Sequence, residues 1–498
     1  MGRRNKINQL LKTVSKTKIR PSINVGALLD IPTGIIIEGA KGEKIINGGL
    51  SSIEGIVGLG NNFKSTIMYY LMIKAMDRME ASIPEETSGH TYDTEDNLKL
   101  NPERINQLAE PIVEYLPKDL IGTGAWSIIS KSDMAAEEWV QKYLYPFIKD
   151  KEESNKEVEY TAFKDPMTGD VLKLPYPDFI VIDSLTEFEP SITTDMLEKS
   201  DLDKTNTMFM QQGLFKVKVM KELPRLANKH NIYFGVTAHV GRKIDMTNNP
   251  YAKPTKDLQY LKQDEKIKGA GDKLNFLTTH MWVAHGTTAL INANTKLPEY
   301  PMYEDDVETD LNVVKLKQLR SKTGPSGYVL ELVVSQREGV IPELTEFHYL
   351  KTNKFGIGGN PRSYWIELMP DIKLSRTTVR RKLKEDKKLR RAVNILAELK
   401  QLMVFFPQYK DLYCTPTELY EDIKKLGYDW NILLQTRGWW TIDNYSKKIT
   451  PFLSTLDILR MRKGLYTPYW MDEKTKLPKK EYIEHFEGVD NGSKTGKK

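Results

Sequence analysis

The run GLGNNFKST, Gly58 to Thr66, ends in a lysine and two hydroxyls, the residue types that hold a polyphosphate with its divalent cation. In a phosphate-binding loop the backbone N–H groups of a strand-to-helix turn surround the phosphates. The lysine reaches the β- and γ-phosphates, and the following hydroxyl holds magnesium. Lys64 and Ser65 take those last two roles, Gly58, Leu59, Gly60, Asn61 and Asn62 form the turn, and Thr66 lies in the helix it opens. Phe63 stands where the consensus has its second glycine, the residue that lets the backbone turn freely. Taken alone, the run suits a nucleotide site and an ordinary turn equally.

Residues of matching chemistry recur along the chain. DFIVIDSL (178–185) ends an apolar run with Asp183 and Ser184, where a carboxylate reaches magnesium through water; a capping aspartate on a buried strand is the bland alternative. TYDTEDN carries Asp93, Glu95 and Asp96, and a glutamate there can orient or deprotonate an attacking water; the acids can equally cap the next helix. FGVTAHVGRK supplies Thr237 and His239, polar side chains able to hydrogen-bond a γ-phosphate and pass its presence to the loop beyond. That loop, 240–272, is rich in Lys, Asn and Gly, and its length goes with function or disorder. LNVVKLKQLRSKTGPSG puts Lys315 and Lys317 on one side of a strand, with Arg320 just after. Such cations can complete an ATP site across a subunit boundary, or they line a solvated edge strand. The histidines lack zinc-ligand spacing with acids or cysteine. Three strand ends, each with a fitting residue in order, favour binding and hydrolysis of ATP with Mg2+ over chance.

The elements that must position these residues alternate. SIEGIVG reads as a strand running into the glycine loop, STIMYYLMIKAMDRM as a helix, and GHTYDTE and DFIVIDSL as strands. GLFKVKVMKELPRLANKH reads as a long helix and NIYFGVTAH as another buried strand, with further strands at HMWVAHGTTALIN, LNVVKLKQL and GYVLELVVS. This order predicts an α/β fold with a mostly parallel sheet covered on both faces. Ligands of such sheets bind at the carboxyl ends of the strands, where these motifs fall.

Composition narrows the class. A chain of 498 residues, 40% of them hydrophobic, is long enough for one large domain and smaller ones. One cysteine, Cys414, excludes an intrachain disulfide framework. No apolar run approaches the ~18 residues of a membrane helix, and the basic N-terminus lacks a secretory signal's apolar core; a cytoplasmic location with no membrane partner is expected. A net charge of +6 barely argues for a polyanionic partner, but the charge is clustered. Residues 1–21 hold seven cations and no acid, and RTTVRRKLKEDKKLRRA (376–392), following Ser375 as N-cap, reads as a basic surface helix.

Together these residues resemble the core of the RecA-type recombinases, and within them the UvsX-type recombinases of tailed phages, over roughly residues 25–400. GLGNNFKS resembles the UvsX-type loop, in which phenylalanine also occurs at the second-glycine position. YDTED resembles the segment of the catalytic glutamate, VIDS the Walker B strand, TAHVGRK the phosphate-sensing segment, KGAGDKLNF the end of the second DNA-binding loop, and VVKLK the strand whose lysines reach the neighbouring protomer's ATP. The resemblance implies a RecA-like P-loop NTPase core and a DNA-dependent ATPase using ATP and Mg2+. Lys64, Glu95 and His239 would be catalytic, Ser65 and Asp183 would hold the metal, and Lys315, Lys317 and Arg320 would act in trans. Arg242, Lys243, Lys266, Lys268, Gly269 and Gly271 would meet DNA. It further implies a homo-oligomeric filament on single-stranded DNA that exchanges strands with double-stranded DNA in recombination, repair and replication. Mediator and single-strand-binding proteins would assist it, in the cytoplasm of a phage-infected host.

The implied layout is a basic oligomerisation segment (1–45), the ATPase core (46–345), its helical C-terminal part (346–405), a small domain (406–485) and a disordered tail (486–498). The small domain is compatible with a winged helix that sets Arg460, Arg462 and Lys463 on a phosphate backbone, and equally with an interaction domain or a lid. Two features depart from the family: no adenine-stacking aromatic follows Glu95, and the sensor is histidine rather than the bacterial glutamine. A ring-shaped DNA helicase shares the core and is the rival expectation, since KQLRSKTGPSG also resembles that class's arginine-finger strand. A nucleotide-gated scaffold is the third.

Overall fold

Alternate residues on the central strands face two separate hydrophobic cores, and this alternation organises the molecule. The computed structural model describes residues 19–154, 159–166, 168–190, 205–242, 258–269 and 271–489. Within them a hairpin, β1 (Ile35–Glu38) and β2 (Lys44–Asn47), precedes β3 (Ile53–Gly58), which runs into helix α1 (Lys64–Glu80). Next come β4 (Ser88–Asp93), β5 (Trp126–Ser130), a side hairpin of β6 (Glu159–Lys164) and β7 (Val171–Leu174), and β8 (Asp178–Asp183). The long helix α2 (Thr205–His230) leads to β9 (Ile232–Arg242), and β10 (Glu265–Ile267) precedes α3 (Gly271–Leu277). β11 (His280–Ala289), β12 (Leu311–Ser321), β13 (Val329–Ser335) and β14 (Gly339–Val340) complete the central sheet.

Among the described residues this sheet has ten strands, in the order β14-β13-β12-β11-β3-β9-β8-β4-β5, with β10 attached to β9. Neighbours from β11 to β5 are parallel, and β12 to β14 extend the β11 edge antiparallel. The fold is therefore mixed α/β with a large, mostly parallel sheet, as the alternation of patterns predicts. On β8, Phe179 and Val181 share a core with Met68 and Met72 of α1, whereas Ile180 and Ile182 share one with Met220 and Leu223 of α2. Cover on both faces is why these strands read as unbroken apolar runs. Gly235 of β9 lets α1 lie close: a Cβ there would sit 2.4 Å from Met68 Sδ.

Past the sheet the structure departs from the expected layout. Helix α4 (Pro342–Thr352) is followed by an antiparallel meander of β15 (Ile357–Asn360), β16 (Ser363–Ile366) and β17 (Met369–Leu374), where 346–405 was expected to be helical. The basic run is two helices, α5 (Val379–Glu385) and α6 (Lys387–Phe405). Asp386, extended at φ −101°, breaks them and caps α6 by accepting from Leu389 N–H, and Ser375 caps neither helix. Nor is the run wholly a surface. Arg380 is buried between Asp310 and Glu338, and buried Arg391 donates to Leu453 O at 2.6 Å.

Residues 406–485 differ as well. α7 (Pro416–Lys425) opens on a capping box from Thr415, and α8 (Thr455–Arg462) follows, but the described residues of this region form isolated bridges instead of the strand pair a wing requires. Their apolar side chains belong to one continuous core running from Ile23 to Phe486. Trp440 Nε1 donates to Ser22 O at 3.0 Å, and the Lys44 N–H donates to Asp457. Two of the three cations expected on a phosphate backbone are engaged internally: Arg460 with Asp457 and Gly42 O, Arg462 with Asp422. Residues 1–18 and 490–498, which carry the N-terminal basic cluster and most of the tail, lie outside the described residues.

A buried polar junction ties α1, α4 and α6 to the segment before β1. Asp30 accepts from the N–H groups of Val25 and Gly26 at 2.7 and 3.0 Å, with the Arg78 guanidinium 3.9 Å away, and Asn394 donates to Glu346 at 3.2 Å. Burial pushes Asp30 up to about 7 and Glu346 up to about 8. A carboxyl whose pKa is raised on folding binds its proton more tightly in the native state. Its contribution to stability is full below the unfolded pKa and is lost as pH rises through the folded one. The thermal midpoint is expected to fall as pH rises from about 4 to about 8, and Glu346→Gln, which cannot ionise, to fall less. Equal slopes in the two proteins would show that the junction does not titrate.

Candidate active site

Parallel register levels four strand ends. Gly58 of β3 is opposite His239 of β9, and Asp93 of β4 is opposite Asp183 of β8. Because β9 and β8 lie between β3 and β4, the chain leaves β3, passes through α1 and returns three strands away, opening a crevice at the carboxyl ends. The phosphate-loop run, the Asp183 strand, the Glu95 turn and His239 all border it.

The loop keeps the backbone shape that a glycine would take. Asn61 and Phe63 both have left-handed dihedrals, φ 59° and 58°, with Asn62 between them outside that region. Alternation of this kind turns successive N–H groups into an anion-binding concavity. Phe63 is uncommon there for a bulky residue; its ring packs on the main core. Asn62 anchors the loop by donating to Ala284 O at 3.2 Å. Lys64, 7% exposed, folds back to donate to Leu59 O at 2.9 Å. Burial lowers its pKa, opposed by the charges of Asp183 and Glu95. Leu59 and Gly60 are exposed at the tip.

Asp183 accepts hydrogen bonds from the hydroxyls of Thr237, Ser65 and Tyr69. Burial pushes its carboxyl up, and the Thr237 and Ser65 hydroxyls oppose that. Glu95 sits across the crevice in the turn after β4. Its Oε1 accepts from Ser184 Oγ at 3.0 Å and lies 2.8 Å from His239 Nε2; its Oε2 accepts from Asn97 at 3.1 Å. Burial would raise its pKa, but the bonds from His239 and Ser184 outweigh it and hold the carboxyl below the usual range. Asp93 serves the turn itself, accepting from the N–H groups of Glu95 and Leu98, and burial raises its pKa. Asp96 accepts from Ser132.

Beyond His239 the sheet continues as a stem. β10 pairs antiparallel with the end of β9, Lys266 opposite Gly241 and Glu265 opposite Arg242. Thr186 links this stem to the crevice: its Oγ1 accepts from the His239 N–H at 2.9 Å, and its carbonyl accepts from Lys216 Nζ of α2 at 2.8 Å. Gly269, at φ 68°, passes so close to Thr186 that a Cβ would meet the Thr186 backbone at 2.8 Å. Arg242, Lys266 and Lys268 are exposed on this stem, and Gly271 begins α3. Lys243 and residues 244–257 of the loop lie outside the described residues.

On β12, Lys315 and Lys317 project from the same face, two strands from β3 and level with its end. Lys315 is about half exposed and 3.6 Å from Glu331, and Lys317 lies 5.7 Å from the Tyr260 ring. Arg320 is held within the chain, donating to Asn275 O at 2.7 Å beside the Phe276 ring.

The structure thus brings together the phosphate loop, Ser65, Asp183, Glu95 and His239, and keeps Lys315, Lys317 and Arg320 apart from them. Among the described residues no three His, Cys, Asp or Glu side chains are grouped to hold a metal. A magnesium ion bound with a polyphosphate needs only one or two protein carboxylates. The hydrogen-bonded Ser65 and Asp183 pair is a donor set of that kind. Four neighbours escaped sequence reasoning: Tyr69, Thr94, Thr186 and Lys216. Thr94 bonds both the N–H and the carbonyl of Ser184. For Tyr69 the available signal was its spacing, four residues after Ser65 and so on the same helix face. No protein-family model matches the chain, and no curated protein matches it.

A left-handed conformation costs a non-glycine residue about 1–2 kcal/mol, which packing of the Phe63 ring offsets. Phe63→Ala removes the ring and keeps the strain, whereas Phe63→Gly removes both. The glycine variant is expected to be more stable than the alanine variant by about 1 kcal/mol in urea denaturation. Equal stabilities would show that the loop backbone is unstrained.

Proposed function

We propose that the protein is a RecA-type, DNA-dependent ATPase that assembles as a helical filament on single-stranded DNA and exchanges strands with homologous duplex. The observation that carries this reading is the contact of His239 with Glu95 at 2.8 Å, on the strand that continues directly into the basic β9–β10 stem. The carboxyl end of that strand borders the GLGNNFKST turn at His239 and runs on into the basic loop, so a nucleotide and a polyanion can be linked through it.

In this reading the phosphate loop surrounds the β- and γ-phosphates, with Lys64 turning from Leu59 O towards them. Ser65 and Asp183 would hold magnesium, which when bound would neutralise charge at the phosphates. Glu95 orients and deprotonates the attacking water; His239, drawn to the γ-phosphate, releases Glu95 Oε1 for that task. Movement of His239 passes through Thr186 and the β9–β10 pairing to Arg242, Lys266 and Lys268, which meet the DNA backbone. Such contacts make binding salt-dependent and largely indifferent to sequence. Lys315 and Lys317, standing clear of their own crevice on an open face, suit contact with the ATP of the next protomer. Arg320, held by α3, suits that role less.

Electron microscopy with single-stranded DNA and a slowly hydrolysed ATP analogue is expected to show filaments, and homologous single and double strands with ATP to give joint molecules. Closed rings with unwinding of a forked duplex would replace this reading with a helicase. Lys315→Ala is expected to lower DNA-stimulated ATP turnover by about 100-fold or more while retaining nucleotide binding. Wild-type stimulated turnover in that variant would remove the trans site. Glu95→Gln is expected to lose about 100-fold or more of turnover.

A further inference from the structure

The hydroxyl of Tyr69 has no role in holding phosphate, yet it is aimed at the carboxylate on which the metal site depends. Tyr69 Oη donates to Asp183 Oδ2 at 3.2 Å, while Thr237 Oγ1 donates to Oδ1 of the same carboxylate. Ser65 also bonds this group. Asp183 is thus gripped on both oxygens, from α1 and from β9.

The grip is itself braced. Tyr69 is 2% exposed, and its ring meets Trp126 edge to face, centroids 6.2 Å apart at 77°. Trp126 Nε1 donates to Thr91 Oγ1 at 3.0 Å, and Thr91 also bonds the Tyr69 hydroxyl. Gly89 makes room for this arrangement, since a Cβ there would lie 2.0 Å from the Trp126 ring. Residues of β4, β5 and β8 therefore fix a single phenolic oxygen. Thr91 donates to the phenolic oxygen, so the phenolic proton is left for Asp183. Giving that proton to Asp183 sets the carboxylate's orientation.

We infer that Tyr69 is a positioning residue for the divalent cation, acting through Asp183: its hydroxyl and that of Thr237 hold the carboxylate in the rotamer that receives the hydrated metal. This rests on the reading of the crevice as a magnesium-nucleotide site. A carboxylate has about four acceptor positions, so the three hydroxyl donors, Tyr69, Thr237 and Ser65, still leave a position for metal-bound water. Partners of this kind typically change metal affinity by about 10–100-fold when removed.

Tyr69→Phe keeps the ring and deletes one oxygen. Binding of a fluorescent ATP analogue, followed as magnesium chloride is titrated into the full-length protein, reads cation affinity without catalysis. The half-saturating magnesium concentration is expected to rise about 10-fold in Tyr69→Phe, with analogue binding at saturating magnesium near wild type. Thr237→Val, which frees the opposite oxygen, is expected to shift it in the same direction. An unchanged magnesium midpoint in Tyr69→Phe, with or without a fall in thermal midpoint, would overturn the inference and leave the hydroxyl a packing group. If the wild-type protein bound the analogue equally well in magnesium and in EDTA, the magnesium-nucleotide reading itself would fail.

Discussion

Parallel pairing of β3, β9, β8 and β4 is the constraint on which the rest of the site depends. Side chains alternate across a strand with period two, so a slip of one residue in any of these pairings would turn Asp183 or His239 to the opposite face. The register is held because each strand has both faces buried: Ile180 and Ile182 cannot exchange places with Phe179 and Val181 without emptying both cores. Precision at the crevice is therefore a consequence of packing several residues below it. The hydrogen bonds among Asp183, Thr237, Glu95, Ser184 and His239 refine a geometry that the cores have already imposed.

The same dependence explains why the C-terminal region is built into the body of the protein. Trp440 bonds Ser22 O, Ser82 lies 2.9 Å from Thr441, and Gln401 donates to Leu28 O, so residues from both ends of the described chain close over the far end of α1. α1 is the helix that presents Lys64 and Ser65 at its start and Tyr69 one turn later. Its distal end is braced against α4, α6 and the 436–459 region, which fixes the start of α1 relative to the crevice. Arg460 and Arg462, spent on internal acids, belong to this brace.

Local chemistry that tolerates few alternatives was legible without coordinates. The lysine-hydroxyl end of the loop, the aspartate closing an apolar strand, and the long helix read over 213–230, which in the structure runs Thr205–His230, all depend on residue type and short-range periodicity. The structure differed wherever a residue's role depended on what packs beside it. Arg380 and Arg391 look like solvent-facing cations in a basic run, and become buried pairing groups because Asp310, Glu338 and Leu453 O are brought to them from distant segments. The meander at 357–374 was read as helix because its glycines, proline and short alternations carry little periodic signal. No wing forms after α8 among the described residues: Gly464 takes φ 67°, Pro468 lacks an N–H, and Trp470 and Met471 turn into the core.

By itself the sequence determined the α/β class, the main strands of the sheet and the order in which they occur, because these follow from periodicity. Phe63 shows where that knowledge stops. From sequence it was a mismatch to the glycine consensus, and nothing local states whether the backbone still adopts a left-handed turn. Tertiary structure decided it, since the core that receives the ring offsets the cost of φ 58°. Tertiary structure alone likewise put Tyr69 on Asp183 and His239 on Glu95, contacts across 114 and 144 residues of chain. Separations of that size are set by strand order and register, and no short-range rule of the chain encodes them.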